Sequence, residues 1–461
     1  MMILRAPLLL IATCGAALAA DGWSNLFNGK DLNGWIQRGG VAKYAVEDGC
    51  IVGTSTLNTP NSFLCTGRDY GDFVLEYEFK VDPRLNSGVQ IRSHSLTAPG
   101  SFVWDGKQIV IPAERVHGYQ IEIDPNPKQD RWWSGGIYDE SRRGWLYPGV
   151  LGGDPKAFTD QGRALFKQGD WNKVRVEAIG DSIKTTLNGT PCASIRDGVT
   201  ESGFIALQVH GINKEADKDG SQVRWRNLRI QEVDAAPQNV LTDAEKAEGW
   251  ALLWDGKTNA GWRSARGPEF PKEGWAMEGG VLVVGETGGA ESAAAGDIIT
   301  KNKFSDFELS VDFKITPGAN SGIKIFVDPD MNKGEGSAIG PEFQILDDEI
   351  HPDAKLGRDG NRTIGSLYDL IRAPKNKRIY PVGAWSHARI LSEGMHVTFW
   401  LNGVKTVEFD RKSDEWRKAV AGSKYSKWSA FGELDEGHIL LQDHGNQVSY
   451  RNVKIRDFSK K

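Results

Sequence analysis

The sequence predicts two tandem all-β domains, each a two-sheet sandwich of jelly-roll type, and three observations predict them. One ordered set of landmarks occurs twice, the apolar period inside each copy is two, and Asn-Gly turns in a chain with 54 glycines punctuate the strands.

The duplication comes first. Leu26-Phe27-Asn28-Gly29-Lys30 with Gly34-Trp35 returns as Leu253-Trp254-Asp255-Gly256-Lys257 with Gly261-Trp262. Asp72-Phe73 returns as Asp306-Phe307, Asn86-Ser87-Gly88 as Asn320-Ser321-Gly322, Tyr138-Asp139 as Tyr368-Asp369, and Trp171 as Trp385. Leu187-Asn188-Gly189, Leu207-Gln208-Val209-His210-Gly211 and Arg226-Asn227 then return as Leu401-Asn402-Gly403, Leu441-Gln442-Asp443-His444-Gly445 and Arg451-Asn452. The offset runs from 214 (Trp171 to Trp385) to 234 (Asp72 to Asp306), so loops differ in length while landmarks keep their order. The boundaries that follow are residues 21–232 and 249–461, joined by a linker over 233–248 that contains Ala235-Ala236-Pro237 and a short helical pattern from Thr242 to Glu248.

The period of two is clear in Phe73-Val74-Leu75-Glu76-Tyr77-Glu78-Phe79-Lys80-Val81, in Val174–Ala178 and in His396–Leu401. Asn188-Gly189 and Asn402-Gly403 follow such runs, and Asn-Gly tolerates the positive φ of a tight hairpin.

Residues 1–20 read as an export signal: Arg5, then an apolar run from Ala6 to Ile11, then Ala17-Leu18-Ala19-Ala20 before Asp21. A periplasmic or secreted protein is expected, with lipidation at Cys14 as the alternative, because Ile11-Ala12-Thr13-Cys14 loosely resembles a lipobox. No other stretch has the length of a membrane span. A net charge of -5 offers no basic field for nucleic acid, so the partner is sought among small or neutral ligands. Cys50 and Cys65 flank a turn-rich segment and are either bridged or two buried thiols, with Cys192 left over.

Chemistry-bearing positions follow from the strand period. In Gly118-Tyr119-Gln120-Ile121-Glu122-Ile123-Asp124, the residues Gln120, Glu122 and Asp124 share a face; the second copy places Glu342 at the Gln120 position and Gln344 at that of Glu122. Such a face lines a wet cleft or is the solvent side of an edge strand. Gln208 shares a face with His210, and Gln442 with His444; a neutral imidazole there serves as base, donor or metal ligand. Trp132, Trp133 and Trp145 surround Tyr138-Asp139-Glu140 and Arg142-Arg143, a composition that suits a sugar cleft or a sandwich core. After its Tyr368-Asp369 the second copy has Leu370, Ile371 and Arg372 instead. Asn86 and Asn320 open Asn-Ser-Gly segments that read as turns with positive φ at Gly88 and Gly322. A zinc-protease helix is absent, and Ala251 breaks the phosphate-loop pattern before Gly256-Lys257-Thr258.

The ordered landmarks, taken together, resemble the 3-keto-disaccharide hydrolase family across nearly the whole chain, twice. The resemblance implies concanavalin A-like sandwiches and an enzyme acting on glycosides whose C3 hydroxyl is already a ketone. That ketone acidifies the C2 hydrogen, so a base can remove it, the enolate can expel the C1 substituent by β-elimination, and water then adds. Such a site needs a base near C2, a donor or cation over the C3 oxygen and an acid near the leaving oxygen.

On this resemblance Glu122, Asp124, Arg92 and His210 are the expected catalytic residues, Arg92 because it matches an arginine common in the family. Asn86, Gln120, Trp132, Tyr138, Asp139 and Gln208 are expected around the sugar, with Glu342, Gln344, Asp369, Gln442 and His444 as the second-copy set. A divalent ion of the calcium or manganese class would suit the carboxylate and imidazole groups. Phe326 stands where the first copy has Arg92, which points to the first copy as the catalytic one. A glycan-binding protein without catalysis is the alternative.

Overall fold

The computed structural model describes residues 22–459, except 126–129, 235–237, 289–290, 293–294, 334–335 and 429. The expected export signal and Cys14 lie outside the described residues. The chain divides into two compact units, one of residues 1–98 and 113–235, the other of 236–461 together with 99–112. Among the described residues no helix is long and apolar enough to cross a membrane.

The first unit is a sandwich of two antiparallel sheets. One runs in the order Thr190–Arg196, Ser182–Leu187, Asn172–Ile179, Phe73–Val81, Gln222–Glu232, Cys50–Thr54, Lys43–Glu47, with Trp23–Asn25 paired to Gln222–Glu232. The other runs Gly144–Tyr147, Ile137–Glu140, Val116–Ile123, Ser87–Ser95, Phe204–Val209, Ser62–Thr66, Trp35–Gly39. Alternate residues of each strand meet between the sheets: Leu75, Tyr77, Val174 and Val176 from one side, Val89, Ile91, Tyr119, Ile121, Ile205 and Leu207 from the other, all buried. Alternation that fills a core from one face of each sheet frees the other face for polar groups.

The second unit repeats the plan with an eight-stranded and a five-stranded sheet, the latter ordered Trp262–Ser264, Ile298–Thr300, His438–Leu441, Asn320–Val327, Glu342–Leu346. Tyr368-Asp369 lies in turns rather than in a strand, so this sheet stops at Glu342–Leu346. The hairpin Gly100–Trp104 with Lys107–Ile111 clusters with this unit. In the expected linker the helix Asp243–Ala247 is held by a capping box between Thr242 and Glu245. Asn239 and Asn452 exchange backbone-to-side-chain bonds of 2.7 and 2.8 Å, making that half of the linker an integral part of the second unit. Both Asn-Gly turns take the expected left-handed φ, 51° and 85° at Asn188-Gly189 and 48° and 79° at Asn402-Gly403.

Cys50, Cys65 and Cys192 are free thiols. Cys50 and Cys65 belong to different sheets, about 10 Å apart in a sandwich, beyond the ~7 Å Cα separation a bridge tolerates. Burial pushes Cys65 up to about 12 and Cys192 up to about 11. Thiol titration of unreduced protein is therefore expected to find all three in denaturant and only slow reaction in the native state.

Candidate functional site

The site of the first unit is built on the outer face of its seven-stranded sheet. Register sets Gln120 opposite Gln90 and Tyr138, and Glu122 opposite Gly88, whose other neighbour across the ladder is Gln208. Alternation from these pairs puts Gln90, Gln120, Glu122, Gln208, Tyr138 and Glu140 on one face.

Their side chains form a chain of bonds. Gln90 donates to Gln120 (2.7 Å), Gln120 donates to one oxygen of Glu122 (2.9 Å), and Asn86 donates to the other (2.5 Å). Glu140 accepts long bonds from Asn61 and Gln208, 3.4 and 3.5 Å. Gln208 Oε1 is buried without a partner, an acceptor left open on this floor.

The Asn-Ser-Gly segment is not the expected turn. Ser87 begins a strand, and Gly88 is absent from the positive-φ residues. Space explains the glycine: a Cβ there would lie 2.5 Å from Cγ and Cδ of Gln120, which crosses over it. Gly88→Ala should displace Gln120 from Glu122 and lower the stability of the first unit by about 1–3 kcal/mol, read in its melting transition.

Glu122 is 3% exposed, and its pKa is raised to about 7, chiefly by burial and then by the neighbouring charge of Asp124. The bonds from Asn86 and Gln120 and the charge of Arg131 oppose the rise. Asp124 is fully buried and ion-paired with Arg131. The guanidinium of Arg131 lies 5.5 and 5.2 Å from the ring centres of Trp133 and Trp145, which meet edge to face at 4.6 Å beside Tyr138. His210 reaches solvent, while the packing around it lowers its pKa. Its Nδ1 lies 2.8 Å from the Gly211 carbonyl, so Nδ1 carries the proton and Nε2 keeps a lone pair.

Three expected site residues lie elsewhere. Arg92, with φ 45° at a bulge, is fully buried, pairs with Asp72 at 2.8 Å and donates to the carbonyls of Gly71 and Gly180. It braces loops and touches none of the floor. Asp139 is on the core side of its strand, opposite Tyr119, where it joins Arg142, Arg143 and Asp197 in a buried ion network. Trp132, with φ 54°, turns its ring onto Phe166 in the core. The residues missed are Glu140, Gln90 and Arg131. Strand alternation from Tyr138 points to Glu140 rather than Asp139; Arg131 has no such signal because it lies in a loop.

The second unit carries the exchanged floor. Glu342 lies opposite Lys324, 3.8 Å between charges, and Gln344 lies opposite Gly322 and donates to Asn320 at 3.1 Å. Burial raises Glu342 to about 7 against the pull of Lys324 and Lys424. Gln442 donates to Glu291 at 3.0 Å. Asp369 is a brace, accepting from Arg362 and from the Lys424 backbone at 2.8 Å each, and His444 packs edge to face on His351. Among the described residues, no group of three His, Cys, Asp or Glu side chains is placed to hold a metal ion. With Asp124 committed to Arg131, the donor set does not fit such an ion.

A buried amide and carboxylate floor beneath an aromatic wall is the dress of a carbohydrate-active β-sandwich protein. A family model described as 3-keto-alpha-glucoside-1,2-lyase-like domain matches residues 22–231 and 249–456, and the chain belongs to that family, in two copies. A 3-keto-disaccharide hydrolase of Bacteroides thetaiotaomicron is 35% identical over 252 residues, half of this chain and 84% of that protein. A solved structure from Parabacteroides distasonis, provisionally named a glycosyl hydrolase, is 31% identical over 48% of this chain and all of its own, with a TM-score of 0.43. A carbohydrate-binding module from Bacillus subtilis aligns at 15% identity, over 43% of this chain and 95% of its own, with a TM-score of 0.26.

Proposed function

We propose that the protein is an exported enzyme, periplasmic or secreted, that cleaves 3-keto-glycosides in its first sandwich by C2 proton abstraction, β-elimination and hydration. The observation that carries this is Glu122: a buried carboxyl that titrates near 7 is poised to take a proton from carbon acidified by an adjacent ketone. An unoxidised sugar has no such proton.

The remaining groups support the same chemistry. Trp133, Trp145 and Tyr138 offer faces for a sugar ring, and Gln208 Oε1 accepts a hydroxyl. Arg131, positioned by Asp124, has a charge felt at both Glu122 and His210 and stabilises the enolate oxygen at C3. The departing alkoxide takes its proton from solvent, His210 Nε2 accepts one from the water that then adds at C1, and Glu122 returns its proton to C2. Arg92 and Asp139 have no part.

Incubating the purified protein with methyl 3-keto-α-glucopyranoside and with methyl α-glucopyranoside tests the reading. Consumption of the ketone alone is expected. Hydrolysis of the unoxidised sugar would make this an ordinary glycosidase, and binding of either sugar without turnover a glycan-binding protein.

A further inference from the structure

The second sandwich keeps the frame of the first floor and changes its chemistry at one point. In each unit the glycine of the Asn-Ser-Gly segment has one neighbour on the sheet strand that follows it and one on the Leu-Gln-x-His-Gly strand. Around Gly88 these are Glu122 and Gln208; around Gly322 they are Gln344 and Gln442, whose backbone N–H bonds the Gly322 carbonyl at 3.1 Å. Gln344 and Gln442 are 1% and 2% exposed, and the Oε1 of each is buried with no hydrogen-bond partner. A buried amide oxygen without a donor is costly, and two flanking one glycine call for a ligand with two O–H donors on one edge. The C2 and C4 hydroxyls that flank the ketone of a 3-keto sugar are such donors.

We propose that the second unit holds a separate saccharide site, which binds a sugar ring of the same class through the Gln344 and Gln442 amide oxygens and does not react with it. An amide cannot abstract a carbon-bound proton, so at the position of the first floor's base the second floor has an acceptor. Glu342 does not replace that base. It stands at the position of Gln120, one alternation along the strand, with its carboxylate over Gly322 and ion-paired with Lys324 at 3.8 Å. The binding rests on the orphan acceptors alone; the lack of reaction rests on the role given to Glu122.

The test uses the full chain carrying Glu122→Gln, which leaves a 3-keto sugar intact, and calorimetric titration with methyl 3-keto-α-glucopyranoside. Adding Gln442→Leu, or in a second variant Gln344→Leu, is expected to remove one bound ring per chain with the near-ultraviolet circular dichroism retained. The same stoichiometry in all three chains would overturn the site, as water would then be what meets those oxygens. Residual turnover in the Glu122→Gln chain that Glu342→Gln abolishes would overturn its inertness. Loss of a ring in a protein whose parent never consumes the ketone would instead sink the lyase reading and leave this site standing.

Discussion

Replacing Glu122 by Gln is expected to slow cleavage of a 3-keto-glucoside by about 10²- to 10⁴-fold, the usual contribution of a positioned general base. The substitution keeps the shape of the side chain, and Asn86 can turn its amide so that its oxygen faces the new NH₂. In the parent, activity should rise with pH through about 7 as Glu122 loses its proton, and this limb should vanish in the variant. Stability moves the other way. The folded pKa of Glu122 lies above the ordinary 4.5, so the stabilisation is complete below 4.5 and is lost as pH rises through 7, up to about 3 kcal/mol. Glu122→Gln should therefore flatten the pH dependence of the first unit's unfolding while destroying turnover. A variant that kept turnover would remove the carboxylate from the mechanism.

The sequence made the duplication, the strand alternation and the Asn-Gly turns readable because each depends on neighbours in the chain. Strand parity likewise pairs Gln120 with Glu122 on one strand and Gln208 with His210 on another, and the register brings Gln120, Glu122 and Gln208 onto one face. It failed where a residue's direction is set by a bulge or a left-handed φ. Arg92 and Trp132 both have positive φ, and each turns away from the floor that a regular strand or loop would offer it. The repeated Tyr-Asp pair marks Asp139, whereas parity counted from Tyr138 points to Glu140. Gly88 shows a third kind of limit: the residue that requires a glycine there is Gln120, and only the paired register brings them together.

Arg92→Ala should lower the stability of the first unit by about 3–5 kcal/mol and leave kcat of the folded enzyme unchanged, because the guanidinium's partners are all structural. Its loss strands Asp72, which also accepts from the Gly180 backbone at 2.9 Å, and two carbonyls in a site without solvent. The second unit explains why a phenylalanine can stand at the equivalent position. There Arg411 enters from another strand end, stacks 3.4 Å over the Phe326 ring and donates to Gly394, Gly432 and Leu434 carbonyls, while Asp306 accepts from the Gly394 backbone at 2.5 Å. Gly180 and Gly394 are repeat equivalents, so both units tie the same loop to a buried guanidinium by different routes. The missing arginine thus says nothing about catalysis in the second copy; the exchange of Glu122 for Gln344 does. Calorimetric scans should show Arg92→Ala lowering one transition by roughly 10 °C and Arg411→Ala lowering the other. A fall in kcat with the melting profile intact would return Arg92 to the active site.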